Sequence, residues 1–372
     1  LTLANLQLRR IWNTALAGMD KVMGRHAMSA RPLRIHIEVN DFCNLRCPHC
    51  PRENPQSIKN TGNIPVEAVK RLEPYFRFAN YVGLAGNGEP FMHPQIVDLL
   101  RIVADTGATP SVLSNATLWQ RRGIIDALPT MGPMIIMVST DGATQETFEK
   151  WRKGAKWEEF RGNLAALRDA KARAGTPFPI VNFIVCLMRD NLHEAERFVE
   201  LAAEMNVAVV LFQNMYPYVK TLESERITDL DECERWIDKA RAAAARHGIR
   251  VDWHPMAFDV DQRGETHGTQ GLGAAGKNGA RYHCNNVWEQ VHVTVAGEVK
   301  FCCWWKEGAI GHLLRDDLGT LWNSPEWQQL RRDLHEGRKP VSCVGCHNLV
   351  VYDKGRLFRD AKKEFRDIAT RQ

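Results

Sequence analysis

DFCNLRCPHC, residues 41–50, places Cys43, Cys47 and Cys50 within eight residues and directly after the extended apolar stretch RIHIEVN, residues 34–40. Four thiolates normally complete a 4Fe-4S cluster, so a three-cysteine loop would leave one iron open to another ligand. His49 lies among the three, and a mononuclear zinc site with three thiolates and one imidazole is the competing reading. The position of the loop is informative in itself. Ligand sites of parallel α/β barrels are built where strands end and loops begin.

Outward from this loop the chain alternates extended and helical patterns. YVGLAG (81–86), TPSVLSN (109–115), MIIMVST (134–140), IVNFIVCL (180–187) and VAVVLFQN (207–214) read as further strands. IPVEAVKRLEPYF, PQIVDLLRIVADTG, KWEEFRGNLAALRDAKARAG and HEAERFVELAAEMN, between them, read as helices. Such alternation predicts an α/β fold with a parallel sheet, which can curl into a partial barrel. Residues 1–30 read as one amphipathic helix packed outside the main domain, with Leu8, Ile11, Trp12, Leu16 and Met19 at helical spacing. A further helix over Asp229 to His247 leads into RVDWHP. The expected divisions are an N-terminal helix (1–30), a barrel (31–255), a Gly-rich linker or lid (256–283) and a C-terminal domain (284–372). The last is predicted to contain a hairpin, QVHVTVAGEVKFCCW, and a helix around SPEWQQLRRDLHEG.

With 44% hydrophobic and 25% charged residues, the chain has the composition of an ordinary globular protein rather than a disordered one. No apolar run approaches the roughly 20 residues that span a bilayer, and neither a signal peptide nor a membrane partner is expected. A net charge of +5 with scattered Lys and Arg gives no reason to expect nucleic acid. A cytoplasmic location is expected, and ten cysteines there imply metal or iron-sulfur ligation rather than disulfides. Five of them, Cys284, Cys302, Cys303, Cys343 and Cys346, fall in the C-terminal part. Four thiolates would saturate one cluster there, and would suit zinc equally.

The CNLRCPHC motif, GNGEP at 86–90 and the cysteine-rich ending resemble the radical S-adenosylmethionine (AdoMet) superfamily over residues 34 to about 215, and its SPASM/twitch subgroup beyond. His49 departs from the aromatic residue usual before the last cysteine. The resemblance implies a partial (β/α)6 TIM-type barrel followed by a small C-terminal SPASM/twitch iron-sulfur domain. It implies a 4Fe-4S cluster on Cys43, Cys47 and Cys50 that binds AdoMet and cleaves it reductively to a 5'-deoxyadenosyl radical. It also implies an auxiliary 4Fe-4S cluster on Cys284, Cys302, Cys343 and Cys346, and an electron donor such as flavodoxin or ferredoxin. Gly86, Asn87, Gly88, Glu89 and Pro90 would receive the AdoMet amino group. Ser114 and Asn115 end the third strand, and Ser139 and Asp141 the fourth, as in SPASM-type enzymes. Arg152 would contact the AdoMet carboxylate, and Asn182 the ribose or the substrate.

Cys186 shares the strand parity of Asn182, so its thiol can face the barrel interior and donate a hydrogen atom, or serve only as a small buried hydrophobe. Glu38, Asn40, His93, His254, Asp259, Arg263 and His267 are further candidate substrate contacts. The twitch enzymes of aminoglycoside and nucleoside antibiotic pathways suggest a small polar metabolite, such as a sugar or nucleoside-type intermediate, undergoing oxidation, epimerisation or rearrangement. The alternatives are a maturase acting on a ribosomally made peptide, and a non-catalytic metal-binding scaffold. Some 30 residues before the barrel cannot hold a winged-helix module that grips a leader peptide, which weighs against the peptide.

Overall fold

A computed structural model describes residues 3–53, 62–216, 219–254, 282–343, 346 and 349–351. Most of the expected linker, with Asp259, Arg263 and His267, lies outside the described residues. Seven strands follow one another in parallel: β1 (Arg34–Ile37), β2 (Tyr81–Leu84), β3 (Thr109–Ser114), β4 (Ile135–Ser139), β5 (Ile180–Leu187), β6 (Val209–Asn214) and β7 (Arg250–His254). RVDWH thus adds a parallel strand to the six units read from the sequence.

Alternation along β5 explains how the sheet separates its two faces. Val181, Phe183, Val185 and Leu187 are buried in the hydrophobic core, while Ile180, Asn182, Ile184 and Cys186 take the other face, toward the interior of the barrel. Helices then cover the outer face. In Ile96–Asp105, the buried Ile96, Leu99, Leu100 and Val103 form one stripe, and each such side chain contributes about 1.5–3 kcal/mol when fully buried. Asp229 caps the helix Leu230–His247 by accepting from the Glu232 amide at 2.9 Å.

The N-terminal helix, Leu3–Val22, packs differently from the expectation. Leu8, Trp12 and Met19 are 63%, 66% and 47% exposed, whereas Asn13, Thr14, Ala17, Asp20 and Lys21 are buried. Its anchoring face is polar because it meets backbone at the entry to the strands. Asn13 donates to the Arg31 and Phe78 carbonyls, and Asp20 accepts from the Ser29 and Ala30 amides. Lys21 and Arg34 both pair with the buried Glu289. The helix therefore closes the N-terminal end of the barrel, opposite the cysteine loop.

The C-terminal part continues the barrel sheet instead of standing apart. β8 (Tyr282–His283) leads into β9 (Gln290–Val293), which runs parallel to β1 on its free side. β10 (Glu298–Lys300) and β11 (Gly311–His312) extend the sheet in antiparallel fashion, giving ten strands in the order β11-β10-β9-β1-β2-β3-β4-β5-β6-β7. β12 (Val350–Val351) pairs with β8. Trp288, Trp322 and Trp327 are core residues, and the fully buried Arg331 donates to the Val287, His26 and Trp322 carbonyls. Among the described residues no helix is long and apolar enough to cross a membrane.

Candidate active site at the C-terminal ends of the strands

The loop after β1 carries the first three cysteines, and N–H donors surround their sulfurs. Cys43 Sγ accepts from the Leu45 amide at 3.4 Å and from Asn115 Nδ2 at 3.7 Å. Cys47 Sγ accepts from Arg152 Nη1 at 3.5 Å. The Cys50 amide donates to the Cys47 carbonyl at 3.0 Å, and the Cys50 sulfur accepts from the Arg52 amide. Burial pushes the Cys43 thiol up to about 11 and raises that of Cys50, so thiolates here call for a cation to stabilise them.

The 86–90 loop packs on this cysteine loop and the end of β1 with no room for a side chain at Gly86 or Gly88. A Cβ on Gly86 would fall 2.9 Å from Glu38 Cβ, and one on Gly88 would fall 2.2 Å from Asn40 Oδ1. Asn40 Nδ2 donates to the Glu89 carbonyl at 2.8 Å, and the Glu89 amide donates to the Phe42 carbonyl. Gly86 and Asn87 are exposed, and Pro90 is buried. Glu89 turns inward, where it accepts from Ser114 Oγ and the Asn115 amide at 2.7 Å each and from the Phe91 amide at 3.2 Å. Burial lifts its carboxyl to about 7 despite these donors. Its oxygens thus join the end of β2 to the end of β3.

Beyond β4, Asp141 gathers groups from three elements. Its Oδ2 lies 2.8 Å from Arg152 Nε and 3.2 Å from His49 Nε2, while its Oδ1 accepts from the Cys186 amide at 2.9 Å. Burial alone would raise this carboxyl, but Arg152 and His49 outweigh it and hold it at about 2. Asn191, a residue the sequence reading missed, donates to both the Asp141 and Cys186 carbonyls at 3.0 and 2.9 Å. His49 also meets Trp151 edge-on, with ring centroids 6.0 Å apart. Burial places the Cys186 thiol well above its ordinary range, which keeps it as S–H. Ser139 ends β4 on the face shared with Asn182, whose Oδ1 is buried without a hydrogen-bond partner.

Where β1 meets β9, register brings His36 beside His292. His292 Nε2 lies 3.2 Å from Glu38 Oε1, and its Nδ1 is buried without a partner. Burial, then the neighbouring His292 and Arg34, lower His36 to about 4. Two other candidates fare differently. His93 spends both nitrogens on the Ile64 carbonyl and the Gln95 amide, holding loops together, and His254 is exposed at the end of β7.

The second group of cysteines is assembled from separate segments. Cys284 precedes the helix Asn285–Glu289, Cys302 follows β10, and Cys343 ends the short turn Val341–Cys343. Electrostatic interaction links Cys284 with Cys302 and Cys346, and Cys343 with the same two. Burial raises all three of Cys284, Cys302 and Cys343, the last to about 12. Cys302 and Cys303 lie past the end of β10, so strand alternation does not choose between them as expected; Cys303 is the exposed one. Among the described residues no three His, Cys, Asp or Glu side chains close on one point as they would round a single ion. Trp304 meets Tyr216, at the end of β6, with ring centroids 6.0 Å apart.

A parallel barrel with one cysteine loop at the mouth, and a second cysteine group fused to its edge strand, defines a class of iron-sulfur protein. Residues 37–202 match the radical SAM superfamily, and residues 284–347 match SPASM, an iron-sulfur cluster-binding domain. The chain belongs to the radical SAM superfamily and carries its SPASM domain. It is 24% identical over 347 residues to the AdoMet-dependent heme synthase of Methanosarcina barkeri, covering 86% of this chain and 92% of the relative. It is 23% identical to the PqqA peptide cyclase of Bradyrhizobium diazoefficiens, over 56% of this chain and 55% of that protein. The fold resembles Streptococcus suis SuiB bound to S-adenosylmethionine, with a TM-score of 0.63 and 13% identity over 84% of this chain and 70% of that one.

Proposed function

We propose that the protein is a radical AdoMet enzyme that abstracts hydrogen from a small polar metabolite held inside the barrel. The observation that carries the substrate class is the polar inner face of the sheet: Glu38, His36, His292 and Asn182 lie on it, and His292 Nδ1 and Asn182 Oδ1 are buried without partners that a purely apolar ligand would leave unsatisfied. Cys43, Cys47 and Cys50 would hold the AdoMet-binding 4Fe-4S cluster, and their shared N–H donors fit a group that needs its sulfurs anionic. When bound there, the cluster and AdoMet supply a hydrogen-abstracting radical.

The residues' own tasks follow from their positions. The exposed backbone of Gly86 and Asn87 receives the AdoMet amino group, while Ser114 and Asn115 hold Glu89 and so fix that loop. Arg152 has more donors than Asp141 and Cys47 use, and those remaining suit the AdoMet carboxylate, with Ser139 beside it. Asn182 Oδ1 accepts from the ribose or the substrate. His292, backed by Glu38, accepts a hydrogen bond from a substrate hydroxyl or amine. Cys186, kept as a thiol, would give its hydrogen atom to the substrate radical, which favours epimerisation over net oxidation; the thiyl radical left on its sulfur would take one electron from the reductase and one proton to return to the thiol. Cys284, Cys302, Cys343 and Cys346 hold one auxiliary cluster.

Deuterium transfer into 5'-deoxyadenosine tests the reading. Transfer from labelled sugars or nucleosides, with none from peptides, supports it. The relationship to the PqqA peptide cyclase favours a second reading, a peptide maturase, and transfer from a peptide alone would establish that one instead. For Cys186, product from the Cys186→Ala variant that still carries solvent-derived hydrogen would remove it from the mechanism.

A further inference from the structure

We infer that Asp141 is a positioning residue that holds Arg152 against Cys47, so that the guanidinium raises the reduction potential of the cluster carried by the first cysteine loop. This rests on the reading above, that Cys47 is a cluster ligand. Arg152 follows the helix Gln145–Trp151 and reaches inward with only 11% of its side chain exposed. Its Nε faces Asp141 Oδ2 at 2.8 Å, and its Nη1 donates to Cys47 Sγ at 3.5 Å. One rigid plane therefore joins a carboxylate to a sulfur.

The carboxylate is itself fixed. Its second oxygen accepts from the Cys186 amide on β5, and its carbonyl accepts from Asn191. Gly142 keeps the chain close behind it, since a Cβ there would fall 2.1 Å from the Phe148 amide nitrogen. His49 meets the same Oδ2, so the cysteine loop and the arginine are referred to one atom. Reduction adds negative charge to an iron-sulfur cluster, and a cation that hydrogen-bonds a ligand sulfur stabilises the reduced form. An isolated buried ion pair would have no such connection to the sulfur.

The test is an EPR-monitored redox titration of the reconstituted holoenzyme, following the signal that AdoMet perturbs. Asp141→Asn removes a negative charge, which by itself would raise the potential. If Asp141 acts by positioning, the potential instead falls as Arg152 loosens from Cys47. Arg152→Gln should lower it further, and Arg152→Lys should fall between the two. An upward or absent shift in Asp141→Asn overturns the proposal. Should that variant assemble no cluster, an unchanged potential in Arg152→Lys overturns it equally. A wild-type protein without an AdoMet-responsive cluster defeats both this proposal and the reading beneath it. A responsive cluster whose potential moves the wrong way defeats only the proposal.

Discussion

The two cysteine groups are built on opposite principles. Cys43, Cys47 and Cys50 lie in one loop whose shape is set by close neighbours: the Gly86–Gly88 backbone, Asn115, Arg152 and Asp141. Cys284, Cys302, Cys343 and Cys346 come from three segments that only the folded C-terminal part brings together. The first group can therefore be damaged one contact at a time. The second should respond to changes far from any sulfur.

Removing the first group gives the largest expected effect. The triple replacement Cys43→Ala, Cys47→Ala and Cys50→Ala should abolish 5'-deoxyadenosine formation and lower iron from about eight per chain to about four, as for one 4Fe-4S cluster of two. Chromatographic assay of 5'-deoxyadenosine and iron analysis check it. Retained cleavage would break the comparison at its root. The replacement of Cys343 and Cys346 by Ala should remove about four irons as well, yet leave uncoupled AdoMet cleavage measurable. If cleavage vanished with them, the two groups would not be separable.

Glu289 probes the remote dependence. It sits at the barrel's N-terminal end, pairs with Lys21 and Arg34, and ends the helix that begins just after Cys284. Burial would raise its carboxyl, but Arg34 and Lys21 outweigh that and hold it below the ordinary range. A carboxyl lowered by folding stabilises the protein above its unfolded pKa, and that stability is lost as pH falls through the folded value. Glu289→Gln removes the buried carboxylate that Lys21 and Arg34 share and should cost about 3 kcal/mol in urea unfolding, as breaking a buried pair does. The variant should also lose that part of the acid dependence. Iron should be lost from the second cysteine group before the first.

How much of this was legible follows the same division. The first loop could be read because its ligands are close in sequence and follow a strand whose apolar pattern is plain. The six strands were equally readable, since β5 alternates cleanly between core and interior. The anchoring of the N-terminal helix was not, because its buried face is polar and is satisfied by backbone 9 to 65 residues away. No periodicity marks Asn13 or Asp20. Nor could the sequence place QVHV beside β1, a pairing across more than 250 residues. Asp141 could be found as a motif residue, but its role as the meeting point of His49, Arg152 and Cys186 depends on three separate segments at once.

The smallest effect is expected at the one ambiguous thiol. Cys302 and Cys303 both lie past the end of β10, and Cys303 interacts electrostatically with Cys302, Cys346 and Glu38. Proximity alone therefore does not identify the ligand. Cys302 is the less exposed, and electrostatic interaction joins it to Cys284, Cys343 and Cys346, the other members of the proposed set. Cys303→Ser should leave iron content and the unfolding midpoint unchanged, whereas Cys302→Ser should lose about four irons. The reverse outcome would exchange the two residues and move the cluster toward Glu38 and the barrel mouth. That would make the second group a neighbour of the substrate instead of a remote support.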